Sequence, residues 1–231
     1  MLVACSKPTE RVAPSAGASG VTAASGAPSA APPSDALGAP NPMGDPATGA
    51  SADPLVRPRK PGTRILALGD TGEGNEAERA NGAMTSAVCQ AAGGCDAVLL
   101  AGDNFYEGGV KGTDDPQWQT KFEQPFDQPG LAKLPFYAVL GNHDYGPHSQ
   151  GSKPAQIEYM KLPIGTGPGQ RPSPKWNMPA AYYSARVGDV EVFAIDTMDF
   201  ASTAQREEMK SKVAKSTAPW KIVFGHHPRF T

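Results

Sequence analysis

The sequence predicts an α/β fold. Three features carry that expectation: four short and continuous apolar runs, helical periodicity between them, and a Gly followed by a metal-competent residue at the end of each run. Continuous rather than alternating runs suit strands covered on both faces. In such sheets, sites form outside the carboxyl ends of the strands.

The runs begin only after a long polar preface. Residues 1–62 hold no aromatic residue and are dominated by Ala, Pro, Gly and Ser, whereas every aromatic and all four His lie in 63–231. A segment of that composition buries too little apolar surface to offset its ordering entropy, so 1–62 reads as a disordered linker and 63–231 as one domain with a real core. No internal repeat of solenoid length is present. A net charge of −2 and a pI near 6.1 give no basic surface for nucleic acid or an anionic membrane. No apolar stretch approaches the ~20 residues of a membrane span.

Within the domain, Ile65-Leu66-Ala67-Leu68 runs into Gly69-Asp70. A helix over 76–92 follows, capped by Asn75 with Glu78 at capping-box spacing, and Ala80, Met84, Ala87, Val88 and Ala91 share one face. Val98-Leu99-Leu100-Ala101 runs into Gly102-Asp103, and Tyr137-Ala138-Val139-Leu140 into Gly141-Asn142. Ala181–Val187 and Val190–Ile195 flank Gly188-Asp189 as a hairpin. A helix over about 203–215 starts with the capping-box pair Ser202 and Gln205. Ile222-Val223-Phe224 then runs into Gly225-His226.

Four strands would bring Asp70, Asp103, Asn142 and His226 to one rim. A single Asp after a strand is most often a turn or a helix cap. A single His at a strand end is usually just hydrogen-bonded. Four such endings in one domain ask for more. Oxygen ligands mixed with imidazole suit Fe, Mn or Zn better than Ca, and the two carboxylate oxygens of Asp103 suit a bridge between two ions.

Two longer motifs sharpen this: Gly102-Asp103-Asn104-Phe105-Tyr106 and Gly141-Asn142-His143-Asp144. With Gly69-Asp70-Thr71-Gly72 before them and Val223-Phe224-Gly225-His226-His227-Pro228 after, their order resembles the calcineurin-like metallophosphoesterases. Tyr106, three residues after Asp103, is similar to the purple acid phosphatases, and within these to the tartrate-resistant type. Ala155-Gln156-Ile157-Glu158-Tyr159 and Lys175-Trp176-Asn177-Met178-Pro179 add to the likeness. The resemblance covers about 63–231 and implies a β-sandwich flanked by helices, in αββα order.

It also implies a two-metal site that hydrolyses phosphomonoesters. Asp70 and Tyr106 would bind Fe(III), Asp103 would bridge, and Asn142 and His226 would bind a divalent Fe, Zn or Mn. His143 would contact the substrate phosphate and support leaving-group protonation, with Asp144 orienting it. Two ions about 3.5–4 Å apart clamp the entering and leaving oxygens of an in-line displacement, and a bound water falls in pKa from about 15.7 towards 7, supplying hydroxide. The bland alternative for Tyr106 is a core aromatic beside Phe105.

The sequence departs from the family in lacking its final Gly-His-x-His motif; the only His are 143, 148, 226 and 227. His227 is expected to point away or to act behind the ligands, and His148 to lie in an exposed loop. The expectation is therefore a fragment of a longer phosphatase, clipped at its C-terminus, each ion short of one ligand and the 220–224 strand left with an open edge. At the other end, Leu2-Val3-Ala4-Cys5 resembles a bacterial lipobox. It implies an exported, surface or periplasmic lipoprotein tethered through Cys5, with a native start upstream of Met1. The linker's reach of about 40 Å would hold the domain off the membrane. In an exported protein Cys89 and Cys95 would close a short disulfide loop worth about 2 kcal/mol; otherwise they are two buried thiols.

Two other readings remain. One is a phosphodiesterase or nucleotide-cleaving relative, distinguished by loops such as 107–118 and 145–175. The other is a non-catalytic surface lipoprotein acting as a binding module. A Ser or Cys nucleophile finds no support, since no Gly-x-Ser-x-Gly elbow is present, and neither is a phosphate-cradling Gly-x-x-x-x-Gly-Lys-Ser/Thr.

Overall fold

In the computed structural model, which describes residues 61–146 and 153–228, the apolar runs form two sheets that share one core. The Leu2–Cys5 motif, nearly all of the expected linker, and His148 lie outside the described residues. The first sheet holds β1 (Ile65–Leu68), β2 (Ala97–Leu100), β3 (Phe136–Ala138) and β4 (Trp176–Asn177), in that order and all parallel. Leu66 stands opposite Val98, Val98 opposite Phe136, and Phe136 opposite Trp176. All four residues of β2 are buried, as a continuous apolar run in a covered parallel strand should be.

The second sheet holds β5 (Tyr183–Val187) and β6 (Val190–Ala194), an antiparallel hairpin, and β7 (Trp220–Phe224), parallel to β6. The Tyr183 hydroxyl donates to the Ala138 carbonyl at 2.8 Å, tying the two sheets. Helix α1 (Glu76–Ala91) connects β1 to β2, α2 (Lys153–Lys161) packs on β4, and α3 (Thr203–Lys215) links β6 to β7. The layers are those of a helix-flanked sandwich. Among the described residues no helix is long and apolar enough to cross a membrane.

Three expectations need correction. The fourth apolar run joins the second sheet beside β6, because the α3 crossover returns the chain next to the strand it left. The ligand rim is therefore built from the ends of two sheets. That run is also less covered than its composition suggests: Trp220, Ile222 and Val223 are exposed.

The second correction is the face of α1. Met84 and Val88 are 66% and 49% exposed, and the buried positions are Glu78, Gly82, Thr85, Ser86 and Cys89. The reason is close packing. A Cβ on Gly82 would stand 2.0 Å from the Pro125 carbonyl oxygen, so only a glycine at this point lets the helix pack this face inward. Cys89 enters the core there and is bonded to Cys95.

The third concerns the helix caps. Asn75 Oδ1 accepts from the Glu78 amide at 3.0 Å, but the Glu78 carboxylate turns to the Gly74 amide rather than back to Asn75. Likewise Ser202 Oγ accepts from the Gln205 amide at 3.3 Å, while the Gln205 side chain clasps both the amide and the carbonyl of Asp196.

Beneath the site lies an aromatic cluster. Trp118 stacks on Tyr159 with centroids 3.6 Å apart, and Phe105, Phe122 and Trp176 meet Trp118 edge-on or nearly so. A π-helical turn, Gln119–Glu123, supplies Phe122 and Glu123 to this layer. Buried Glu123 accepts from Tyr159 and Ser173 and pairs with Lys175 at 3.4 Å, so its charge is compensated where water is absent.

Candidate metal centre

The loops after β1 and β2 turn on strained residues. Asp70 and Asp103 are the two non-glycine residues with positive φ among those described, at 57° and 52°. A left-handed Asp is tolerated better than most side chains, yet it persists only where the surroundings enforce it. Here they do: the Asp70 amide donates to the Gly102 carbonyl, Gly72 to Asp103, and Tyr106 to Gly72, so the two loops continue the β1–β2 pairing past the strands. Gly102 is required by crowding. A Cβ there would meet His226 Cβ and Nδ1 at 2.7 Å.

Side chains then diverge by position. Asn104 and Phe105 go inward, Phe105 into the aromatic cluster, and Tyr106 turns towards the rim. The Tyr106 hydroxyl donates to Asp70 Oδ1 at 3.1 Å and also meets Asp103. Burial and these two carboxylates hold the phenol far above its ordinary pKa, burial being the larger cause. A cation placed between them reverses that balance.

On the other side, His226 Nε2 lies 3.1 Å from Asn142 Oδ1 and 3.5 Å from Asp103 Oδ1. His226 Nδ1 meets the Ala101 carbonyl at 3.0 Å; with the ring proton there, the Nε2 lone pair faces Asn142 and Asp103. Ligand atoms of Asp70, Asp103 and His226 all lie within 4.8 Å of one another. The structure thus brings together Asp70, Tyr106, Asp103, Asn142 and His226, with Asp103 between a Tyr–Asp pair and an Asn–His pair. Hard oxygens with one imidazole fit first-row transition ions.

His143 stands at the edge of this group. Its amide donates to Asp103 Oδ1 at 3.0 Å, and its ring packs 4.5 Å from that of Tyr106. Asp144 does not orient it. Asp144 is fully buried and accepts from the amides of Asn104, Phe105 and Gly141 and from the side chains of Asn104 and Gln156. His143 Nδ1 instead meets the Glu107 carbonyl at 2.7 Å. His227 turns to Thr197 Oγ1 at 3.0 Å.

These contacts name residues that sequence reading left without a role: Glu107, Gln156, Thr197 and the inward Asn104. Asn104 and Gln156 already stood inside the motifs that carried the resemblance. Glu107 acts through its backbone, which no residue pattern reports.

The sequence of residues 63–230 matches the family model for calcineurin-like phosphoesterases. This chain belongs to that family. Tartrate-resistant acid phosphatase type 5 of Mus musculus is 30% identical over 199 residues, 73% of this chain and 56% of that protein. Purple acid phosphatase 4 of Arabidopsis thaliana is 30% identical over 154 residues, 56% of this chain and 41% of that protein. Among solved structures, GAP50, described as the anchor in the inner membrane complex of Plasmodium, superposes with a TM-score of 0.55 at 26% identity, covering 73% of this chain and 56% of its own. The chain therefore spans just over half the length of the first of these phosphatases. As a calcineurin-like phosphoesterase domain it has its donors where two sheets meet, at strand ends, and the family likeness implies a binuclear metal centre there.

Proposed function

We propose that this domain hydrolyses small phosphomonoesters as an acid phosphatase of the purple type. The supporting observation is the grouping of donors: Tyr106 with Asp70, Asn142 with His226, and Asp103 between. That grouping suits Fe(III) on the tyrosine side and a divalent Fe, Zn or Mn on the histidine side. When bound, such ions supply positive charge for the phosphate and acidify a water. Asp103 holds the two halves at one spacing, and its second contact, the His143 amide, fixes the Asn142–His143 turn against it. His143, braced by the Glu107 carbonyl and by the Tyr106 ring, faces the leaving group as proton donor. Asp144 shapes the site from below without touching the reactants.

The test is hydrolysis of para-nitrophenyl phosphate against bis(para-nitrophenyl) phosphate by the metal-loaded chain. A monoesterase prefers the first and loses most of its kcat in His143→Ala. Preference for the second identifies a phosphodiesterase with the same donors. The likeness to GAP50, whose description is that of an anchor, favours one further reading: a non-catalytic surface protein on the same scaffold. Absence of metal uptake would decide for it.

The reading extends to location. We propose an exported lipoprotein held by Cys5, supported by Leu2-Val3-Ala4-Cys5, by the composition of 1–62 and by the Cys89–Cys95 bond. The mass of the N-terminal peptide from the natural host reads this directly: an acylated Cys5 is expected, and an unmodified peptide starting at Met1 contradicts it.

A further inference from the structure

Tyr106 is held at both of its backbone groups. Its amide donates to the Gly72 carbonyl at 2.9 Å, and its carbonyl accepts from Lys121 Nζ. Lys121 comes from the π-helical turn, a rare element often found next to functional sites. To reach Tyr106 its side chain crosses the loop that follows Asp70. Lys121 Cγ passes 3.0 Å, and Cε 3.4 Å, from where a Cβ on Gly74 would stand. That residue is held as well: its amide donates to the Glu78 carboxylate and its carbonyl accepts from Arg79 Nη1 at 3.4 Å. A single lysine thus lies across the loop bearing Asp70 and bonds the loop bearing Tyr106, from an element that contributes no ligand.

We propose that Lys121 is a positioning residue for the Tyr106 phenol. The ring can swing about a tether of one residue, and the carbonyl that Lys121 holds sets the direction of that tether towards Asp70 and Asp103. The neighbouring Glu107 carbonyl, which meets His143, follows directly on the same backbone, so the lysine also steadies the partner of His143. The inference rests on Tyr106 being a ligand, as proposed above.

The experiment is a double-mutant cycle in the 231-residue chain, read by Fe(III) affinity against a competing chromophoric chelator. Lys121→Met is expected to weaken Fe(III) binding about tenfold or more, in the range seen when a partner behind a ligand is lost. In the Tyr106→Phe background the same change is expected to have less than a twofold effect, because the lysine acts through the tyrosine. Lys121→Arg should restore most of the affinity. In the metal-free chain, exchange of the Tyr106 amide, and of the Gly109 amide that donates to the Phe105 carbonyl at 2.9 Å, should quicken in Lys121→Met and not in Lys121→Arg. Equal losses with and without the phenol would make Lys121 a general structural residue and overturn the proposal, as would unchanged affinity. If the wild-type chain takes up no Fe(III), the phosphatase reading falls alone. The exchange rates then decide for Lys121, with unchanged protection overturning it.

Discussion

Asp144 illustrates how a single carboxylate organises the site without entering it. It collects donors from the Asp103–Tyr106 loop, from Gly141 and from Gln156 of α2. Burial raises its pKa to about 6, against the pull of those donors. Asp144→Ala leaves several buried N–H groups unpaired, and a loss of about 3 kcal/mol or more is expected in urea unfolding. Glu78 is the second case. Buried with one oxygen on the Gly74 amide and the other without a hydrogen-bond partner, it has its pKa raised from 4.5 to about 8, chiefly by burial. The unfolded chain releases this proton near 4.5 and the folded chain keeps it to about 8, so the folded state binds more protons in between. Its contribution is complete below 4.5 and is lost as pH rises through 8. Relative to Glu78→Gln, the wild type should lose stability between pH 5 and pH 8.5 in parallel unfolding curves. Matching slopes would show that Glu78 is ionised in the fold.

At the scale of elements, β1, β2, the β5–β6 hairpin, α1 and α3 were legible because their signals are local, whereas α2, β4 and the π-helical turn were not expected. Helix α3 begins and ends where its cap and periodicity place it, and β1 occupies its apolar run without change. The face of α1 was not legible, because Ala, Met and Val suggest a core face by composition alone. What decides is the Pro125 carbonyl lying against Gly82, a contact 43 residues away in sequence. The placement of β7 in the second sheet was hidden for the same reason, since strand order is a property of pairing between distant segments. The site divides similarly. The donors were legible as Gly-plus-ligand endings, whereas Glu107, whose backbone does the work, and Lys121, far along the chain, were not. The Cys89–Cys95 bond closes a short loop at the end of α1. Replacing both by Ser is expected to cost about 2 kcal/mol, and reductant should lower the melting temperature of the wild type but not of the variant.

For the whole molecule, the two sheets matter because neither alone can build the centre. The first supplies Asp70, Asp103, Tyr106 and Asn142, and the second supplies His226, held against Ala101 of the first. The central claim is that these five side chains form one metal centre. It is tested most directly by the metal content of the 231-residue chain, equilibrated with iron and zinc and then freed of loose ions, alongside Asp103→Asn. Retained metal in the wild type, a visible tyrosinate band, and loss of both in Asp103→Asn with the circular dichroism unchanged is the expected result. A colourless wild-type chain that holds no more metal than Asp103→Asn would contradict it.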